Sequence, residues 1–337
     1  MTDAVAELRI AVPSFEAAIA GPIESDQPAP QLPAAEWLLA RGDRDAGPPA
    51  AWRQWLLDDA GLGQDLFERF PAGPCTRAAW TVEPAGGVWA CAAPVHLVTA
   101  IDHLQVAAPA PLVLEAGESA ALFASLDAHL AGTGFRLHAF PGRGWLCECP
   151  LDLECTAVEP AVAVGRNLRE LLPAGRDAAR VRGLVNELQM LLHEHPVNDR
   201  RAARGMPVMN SLWLWGFGAA VEPRALARGA LLTDDDWLGG LWRLHGGEVA
   251  SPDRFGETLR QHAAPLRVGL ALASRDGEGR SQWAALERSI FAPARAALVE
   301  GAVRHVSLRV GDAVFDVPRS SRWRFWRKSR PFAEALR

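Results

Sequence analysis

A line of hydrogen-bonding side chains runs along a predicted helix near the middle of the sequence. Between residues 181 and 192, apolar residues recur at spacings of three and four, which predicts an amphipathic helix with one buried face. At about 100° per residue, a second line on this helix carries a guanidinium, two amides and an imidazole. Its members are Arg182, Asn186, Gln189 and His193. Such groups bind polar ligands through directional hydrogen bonds, so the line is either a polar ridge packed against a neighbouring loop or one wall of a pocket.

The sequence His193-Glu194-His195 at the end of this helix raises the question of a metal site, because imidazoles are common metal ligands. Helical side chains two positions apart point about 200° away from each other, so both rings could share one ion only if the last turn unwound. Pro196 predicts that the helix ends near His195. His195 also lies near the apolar face, which favours a hydrogen-bonded core histidine over a metal ligand.

A short apolar run, residues 212–215, follows the helix and is bounded by turn residues. This pattern predicts a central strand that is covered on both faces and lies in a parallel sheet. In such sheets ligands bind beyond the carboxyl ends of strands, where glycines allow close backbone approach. Ser211 precedes the run, but no GxSxG motif surrounds it, so it is not predicted to be a nucleophile.

The helix and the strand together predict a ligand-binding site. In this hypothesis Asn210 and the amides after Trp215 hold the ligand, His193 donates a hydrogen bond, and Arg182 or Arg204 supplies positive charge. The predicted binding residues are Arg182, Asn186, Gln189, His193, Asn198, Arg204, Asn210, Trp213, Trp215, Gly216 and Gly218. No catalytic residue is assigned.

Three segments resemble known families. NELQMLLHEHPVN and PVMNSLWLWGFG, together with RWRFWRKSRP at residues 322–331, resemble the bacterial regulatory proteins of the RpfE type. LWLWGFG is also similar to a shorter motif of the archaeal-type cofactor-independent phosphoglycerate mutases, which belong to the alkaline-phosphatase superfamily. The resemblance implies an α/β fold with a core like that of this superfamily.

The same resemblance implies catalytic motifs that do not occur in this sequence. Superfamily members have an Asp-Gly turn after the first strand, a Ser or Thr nucleophile, and Asp/His clusters that bind two metals. Here the first predicted strand, residues 8–12, runs into Pro13-Ser14-Phe15, and no DxxxHxxD-like cluster occurs. We therefore expect a regulatory or ligand-binding protein with no cofactor. The alternative is a divergent phosphoglycerate mutase or phosphatase that uses a divalent metal such as Mn or Zn.

Composition narrows the possible chemistry. The chain has 337 residues, a hydrophobic content of 49%, a net charge of −5 and thirteen tryptophans, and its only lysine is Lys328. It therefore has no Walker lysine, and a lysine in a charged tail is a poor candidate for a Schiff base. Arginine must carry any recognition of anions. The expected partner is a small anionic metabolite or a protein.

The cellular setting is also predicted from composition. Five cysteines without a framework spacing indicate free, buried thiols. The N-terminus lacks the pattern of a signal peptide, and no apolar run approaches the roughly 20 residues needed to span a bilayer. These features predict a cytoplasmic protein with no membrane partner.

The order of predicted elements indicates two domains. Strands near residues 211–215, 230–232, 266–273 and 303–310 alternate with helices, which predicts a mostly parallel sheet that the first strand joins. Residues 312–316 are predicted to form a hairpin with the preceding strand across Gly311. Residues 1–70 and 176–337 are the predicted α/β core domain, and 71–175 a smaller α+β insertion.

The segment 319–330 contains six basic residues, interleaved aromatic residues and no acid. Two interpretations stay open. The arginines anchor the C-terminus onto an acidic body, or the interleaved arginine and aromatic side chains grip nucleic acid. The net negative charge predicts no attraction for nucleic acid elsewhere on the protein.

Overall fold

The computed structural model describes residues 7–12, 31–45, 52–60, 62, 66–81, 86–219, 229–261, 265–270 and 279–336. The chain divides into two compact units. The core unit comprises Met1–Leu66 and Pro223–Arg337, and the inserted unit comprises Phe67–Glu222. Among the described residues, no helix is both long and apolar enough to cross a membrane.

Short strands and helices alternate along the chain. The strands are β1 (Leu8–Val12), β2 (Asp43–Asp45), β3 (Val88–Val95), β4 (Leu97–Thr99), β5 (Leu104–Val106), β6 (Arg136–Phe140), β7 (Gly144–Cys149), β8 (Ser211–Ala219), β9 (Ala230–Thr233), β10 (Glu248–Ala250), β11 (Leu266–Gly269), β12 (His305–Val310) and β13 (Ala313–Pro318). The α-helices are α1 (Pro33–Arg41), α2 (Trp52–Leu57), α3 (Leu66–Arg69), α4 (Ala72–Trp80), α5 (Ala116–Leu130), α6 (Pro160–Ala163), α7 (Ala178–His193), α8 (Pro196–Ala203), α9 (Asp236–Leu244), α10 (Phe255–Gln261), α11 (Gly279–Leu286), α12 (Ala292–Glu300) and α13 (Phe332–Leu336).

The core unit is built on a mostly parallel sheet. Its described strands lie in the order β10-β9-β11-β1-β12-β13-β2, and all neighbours from β10 to β12 are parallel. β12 and β13 form an antiparallel hairpin that turns at Gly311, where φ is +58°. The predictions that the first strand joins this sheet and that a hairpin crosses Gly311 are both confirmed.

Helices cover both faces of this sheet. On one face, Ile10 of β1 packs in a buried cluster with Leu38 of α1 and Leu298 of α12. On the other face, a Cβ at Gly269 of β11 would lie 2.6 Å from Leu56 of α2, so this glycine lets α2 approach the sheet closely. The predicted fold class, α/β with a mostly parallel sheet flanked by helices, is confirmed.

The inserted unit has a four-stranded antiparallel sheet in the order β6-β7-β3-β8 among the described residues, with β4 and β5 forming a separate ribbon. Helices α5 and α7 pack on one face of the four-stranded sheet. Leu126 of α5, Leu188 of α7 and Leu214 of β8 share one buried cluster. Trp213 lies in a second cluster with Val95 and Leu97. Side chains of β8 therefore alternate between two apolar surroundings.

This arrangement corrects one prediction and differs from another. The predicted placement of residues 211–215 in the parallel sheet is wrong, because β8 is an edge strand that pairs antiparallel with β3, with Ser211 opposite Val95. The predicted boundary at residue 176 also differs from the observed division. Residues 176–222 belong to the inserted unit, since α7 packs on β8 and β8 pairs with β3.

Candidate ligand-binding site

A cavity of about 330 Å³ lies beside α7 in the inserted unit. Its volume falls within the range that small-molecule sites occupy in proteins. Four of its lining residues are polar, namely Arg182, Asn186, Gln189 and Ser211. The other lining residues are apolar: Leu97, Leu104, Leu168, Leu172, Pro173, Val181, Val185, Leu212, Trp213 and Leu214.

The packing of α7 turns its polar line towards this cavity. Val181 and Leu188 are fully buried against the sheet, which fixes the rotation of the helix about its axis. Gln189 then donates from Nε2 to Oγ of Ser211 at 3.0 Å, and the side chain of Ser211 is almost completely buried. The predicted ridge and the first residue of β8 are therefore joined directly at the cavity wall.

Arg182 and Asn186 keep hydrogen-bonding capacity for a ligand. Arg182 donates from Nη1 to the carbonyl of Pro173 at 2.9 Å, and this is the one hydrogen bond of its guanidinium within the described residues. Asn186 is exposed, and its amide has no hydrogen-bond partner in the described part of the chain. A guanidinium held at one nitrogen and an open amide could both bind oxygen atoms of a small molecule.

Two predicted binding residues are instead engaged with the backbone. Asn198 donates from Nδ2 to the carbonyls of Leu192 and Met209, each at 2.7 Å, and accepts from the Met209 amide at 2.9 Å. Asn210 accepts from the Leu97 amide at 2.7 Å and donates to the Leu97 carbonyl at 2.8 Å. Asn210 therefore positions Leu97, which lines the cavity, and does not line it itself.

The two predicted glycines serve close packing. Gly216 has φ of +64°, and a Cβ there would lie 2.4 Å from the Cβ of Ala72. A Cβ at Gly218 would lie 2.2 Å from the Pro71 ring. Both glycines let the start of α4 contact β8, and β8 continues through them to Ala219. They are not the ligand-binding turn that the sequence predicted.

Of the four remaining predicted residues, one lines the cavity and three do not. Trp213 forms part of the wall and donates from Nε1 to the carbonyl of Val158 at 2.8 Å, whereas Trp215 packs beside it without lining the cavity. His193 is exposed at the end of α7, one turn beyond Gln189, where the cavity has ended. Arg204 is exposed and pairs with Glu115 at 3.0 Å.

The cavity thus brings together Arg182, Asn186, Gln189 and Trp213 from the predicted set. It adds Ser211 and a wall drawn from residues 97–104 and 168–173. Those wall residues come from short strands and turns, where hydrophobic periodicity gives no signal. Ser211 could be recognised only after its position opposite α7 was known.

His195 is a hydrogen-bonded core histidine, as predicted. Its Nδ1 accepts from the Val197 amide at the start of α8, and its Nε2 lies 3.0 Å from Oγ of Ser125. Burial lowers the pKa of His195, and the nearby Arg200 lowers it further, while Asp199 acts in the opposite direction. A proton on Nδ1 would also remove the acceptor that caps α8.

This histidine should make the inserted unit less stable in mild acid. Its pKa is lower in the folded protein than the unfolded value of about 6.5. Below pH 6.5 the unfolded chain takes up a proton that the folded chain does not, so the free energy of unfolding falls. Urea unfolding from pH 7.5 to 5 should show this loss, and His195→Asn, which keeps a neutral cap, should reduce it. An unchanged slope in the variant would contradict this assignment.

The side chains expected at a two-metal site are not gathered in the described residues. No group of three or more His, Cys, Asp or Glu residues could hold an ion there. The five cysteines are buried and free, as predicted; burial raises the pKa of the Cys155 thiol to about 11. Pro13-Ser14-Phe15, where the superfamily has its Asp-Gly turn, lies outside the described residues.

The sequence is distantly similar to cofactor-independent phosphoglycerate mutases. It is 35% identical over 132 residues to a 2,3-bisphosphoglycerate-independent phosphoglycerate mutase of Methanothrix thermoacetophila, covering 37% of this chain and 33% of that protein. It is 30% identical over 129 residues to the enzyme of the same name from Methanosarcina barkeri, covering 37% and 32%. The match thus spans about a third of the length of these relatives. No protein-family model matches the chain.

A solved structure resembles the fold of this chain over most of its length. The PH0037 protein from Pyrococcus horikoshii matches with a TM-score of 0.50 and 14% identity, over 94% of this chain and 88% of that one. The cofactor-independent phosphoglycerate mutase from Thermoplasma acidophilum matches with a TM-score of 0.44 and 17% identity, over 93% and 89%. At 14% identity, the likeness to PH0037 concerns the fold alone. The predicted similarity to phosphoglycerate mutases is confirmed through the sequence matches, and the resemblance to regulatory proteins of the RpfE type stays a prediction.

Proposed function

We propose that this chain is a cytoplasmic regulatory protein of the RpfE type that binds a small metabolite on a phosphoglycerate-mutase-like scaffold. The observation that supports the proposal is the cavity of about 330 Å³ beside α7. It combines an apolar wall with a few polar groups at fixed positions, which is the usual composition of a small-molecule site.

The lining residues favour an anionic ligand with an apolar part. Among the described residues that line the cavity, Arg182 is the one charged residue, and no acid accompanies it. An anionic group would lie between the guanidinium of Arg182 and the amide of Asn186. The apolar part of the ligand would contact the leucine side chains opposite. In this proposal Gln189 and Ser211 hold the floor of the cavity through their mutual hydrogen bond.

Ligand-induced stabilisation tests this proposal. The protein should be screened by thermal shift with phosphorylated and carboxylated metabolites, including 2- and 3-phosphoglycerate and inorganic phosphate. A ligand at 100 times its Kd stabilises a protein by about 2.7 kcal/mol. Because a hydrogen bond to a charged group contributes about 1.5–3 kcal/mol, Arg182→Gln should weaken binding of the hit at least tenfold.

A matched control lies on the same helix. His193→Ala removes an exposed polar side chain one turn beyond the cavity and should leave the affinity unchanged. Equal stabilisation of the wild type and Arg182→Gln, or loss of binding in His193→Ala alone, would place the ligand elsewhere.

The alternative function is a divergent phosphoglycerate mutase or phosphatase. The sequence similarity to the archaeal mutases favours it. Purified protein should be analysed for manganese and zinc and assayed for interconversion of 2- and 3-phosphoglycerate and for release of phosphate. Turnover that depends on a copurified metal would establish this alternative and overturn the assignment as a binding protein.

A further inference from the structure

The segment 319–330, here called the tail segment, is fixed to the core unit by its arginines. Arg324 binds both carboxylate oxygens of Asp43, at 2.7 and 2.8 Å, and Arg327 donates to the carbonyl of Gly42 at 2.9 Å. Hydrogen bonds from Arg324 and Arg327 hold the pKa of Asp43 below its ordinary value. The anchoring interpretation accounts for these two arginines. It does not account for the three aromatic side chains of this segment, Trp323, Phe325 and Trp326.

Those aromatic side chains point outwards. Trp323, Phe325 and Trp326 are 65%, 78% and 66% exposed. Phe325 and Trp326 form an edge-to-face pair with ring centroids 5.4 Å apart. Three large rings exposed within four residues of an anchored segment form an apolar patch of the kind that marks a binding surface. The patch lies on backbone that the arginines hold in place, so its rings need little ordering when a partner binds.

A cationic groove of about 590 Å³ lies beside this patch. Its lining includes four basic side chains and a single acid, and Trp326 belongs to both the groove and the patch. Lys328 and Arg330 are exposed and have no ion-pair or hydrogen-bond partner within the described residues. The lining residues are Leu39, Ala40, Arg44, Trp326, Arg327, Lys328, Arg330, Glu334 and Ala335.

We propose that the tail segment binds single-stranded nucleic acid. Its phosphates would lie in the groove against Arg44, Lys328 and Arg330, and unpaired bases would stack on Phe325 and Trp326. Stacking on exposed rings beside a basic groove is how proteins bind single strands without sequence preference. A duplex offers no free base faces to these rings.

Fluorescence polarisation with a labelled 12-nucleotide oligo-uridine tests this proposal. The whole 337-residue chain should bind the single strand at 50 mM salt more tightly than a labelled blunt-ended duplex, which has no unpaired bases. Phe325→Ala/Trp326→Ala should weaken binding by at least tenfold, because base stacking on the two rings is lost. Both side chains are exposed, so circular dichroism and thermal unfolding should match the wild type.

A charge variant and a matched control sharpen the test. Lys328→Gln/Arg330→Gln should reduce the slope of log affinity against log salt by about 1.4, since each phosphate contact to a single strand contributes about 0.7. Ile101→Ala removes a fully exposed apolar side chain from the inserted unit and should leave binding unchanged.

Several outcomes would overturn the proposal. One is failure to bind the single strand at 50 mM salt, and another is equal binding by the wild type and the double aromatic variant. A third is binding of the wild type to phosphatidylserine vesicles but not to RNA. If Phe325→Ala/Trp326→Ala then abolished vesicle binding, the segment would be identified as a membrane-binding surface instead. Self-association abolished by the same variant, seen by size-exclusion chromatography, would identify a contact between copies of this chain.

Discussion

Replacing Arg201 with alanine is expected to lower the free energy of unfolding of the inserted unit by about 3–5 kcal/mol. The guanidinium is almost completely buried and pairs with the buried carboxylate of Glu118. It also donates to the carbonyls of Pro207, at 2.7 Å, and Val113, at 3.3 Å. Removing it leaves a buried carboxylate and two carbonyls without this donor. That carboxylate also accepts a hydrogen bond from the Glu115 backbone amide at the start of α5. The substitution should therefore also weaken the N-terminal cap of α5.

Arg204→Ala provides a closely matched control. Arg204 pairs with Glu115 at 3.0 Å, and both of these side chains are more than half exposed; it approaches the Glu118 carboxylate only at 3.8 Å. Exposed pairs of this kind contribute about 0–1 kcal/mol. Hydrogen exchange of peptides from α5 and α8 reports the stability of the inserted unit separately from the core unit. Equal effects of the two substitutions would show that the burial of Arg201 has no energetic consequence.

Gly216→Ala should destabilise the inserted unit by about 3 kcal/mol. Part of this cost is backbone strain, because φ of +64° disfavours any residue with a Cβ. The rest comes from the contact of the new Cβ with Ala72 at 2.4 Å, which forces α4 away from β8. Peptides from β3 and β8 should lose exchange protection together, since α4 packs on both strands.

Gly205→Ala separates these two contributions. Gly205 has nearly the same φ, +67°, but a Cβ there would meet no atom within 4 Å. This variant therefore bears the backbone strain alone, which amounts to about 1–2 kcal/mol. If both variants lose the same stability, the close approach of α4 to β8 is not important for the inserted unit.

Helical geometry explains why part of the candidate site could be predicted. Once Val181 and Leu188 were recognised as buried, the positions of Arg182, Asn186 and Gln189 on the helix surface followed from about 100° per residue. The length of the cavity could not be predicted in this way. The cavity ends before His193, and its opposite wall comes from short strands and turns, whose sequences have no periodic pattern that would reveal this.

The position of β8 in its sheet could not be predicted from the sequence, for a different reason. An apolar run such as 212–215 is expected both for a central parallel strand and for an edge strand covered on its two faces. Pairing with β3 decides between them, and that pairing joins residues more than 100 positions apart. Asn198 and Asn210 show a similar ambiguity. A side-chain amide can hydrogen-bond to a backbone segment as readily as to a ligand, and the sequence alone does not show which of the two lies near it.

The central position of β1 has a consequence for the order in which the protein assembles. The two strands that pair with β1 are β11 and β12, and both begin after residue 265. The start of α1 has the same dependence, since the amides of Ala34 and Ala35 donate to the carboxylate of Glu287. As the ribosome synthesises the chain from its N-terminus, we expect the inserted unit to fold first. β1 must then stay unpaired until β11 and β12 have both been synthesised.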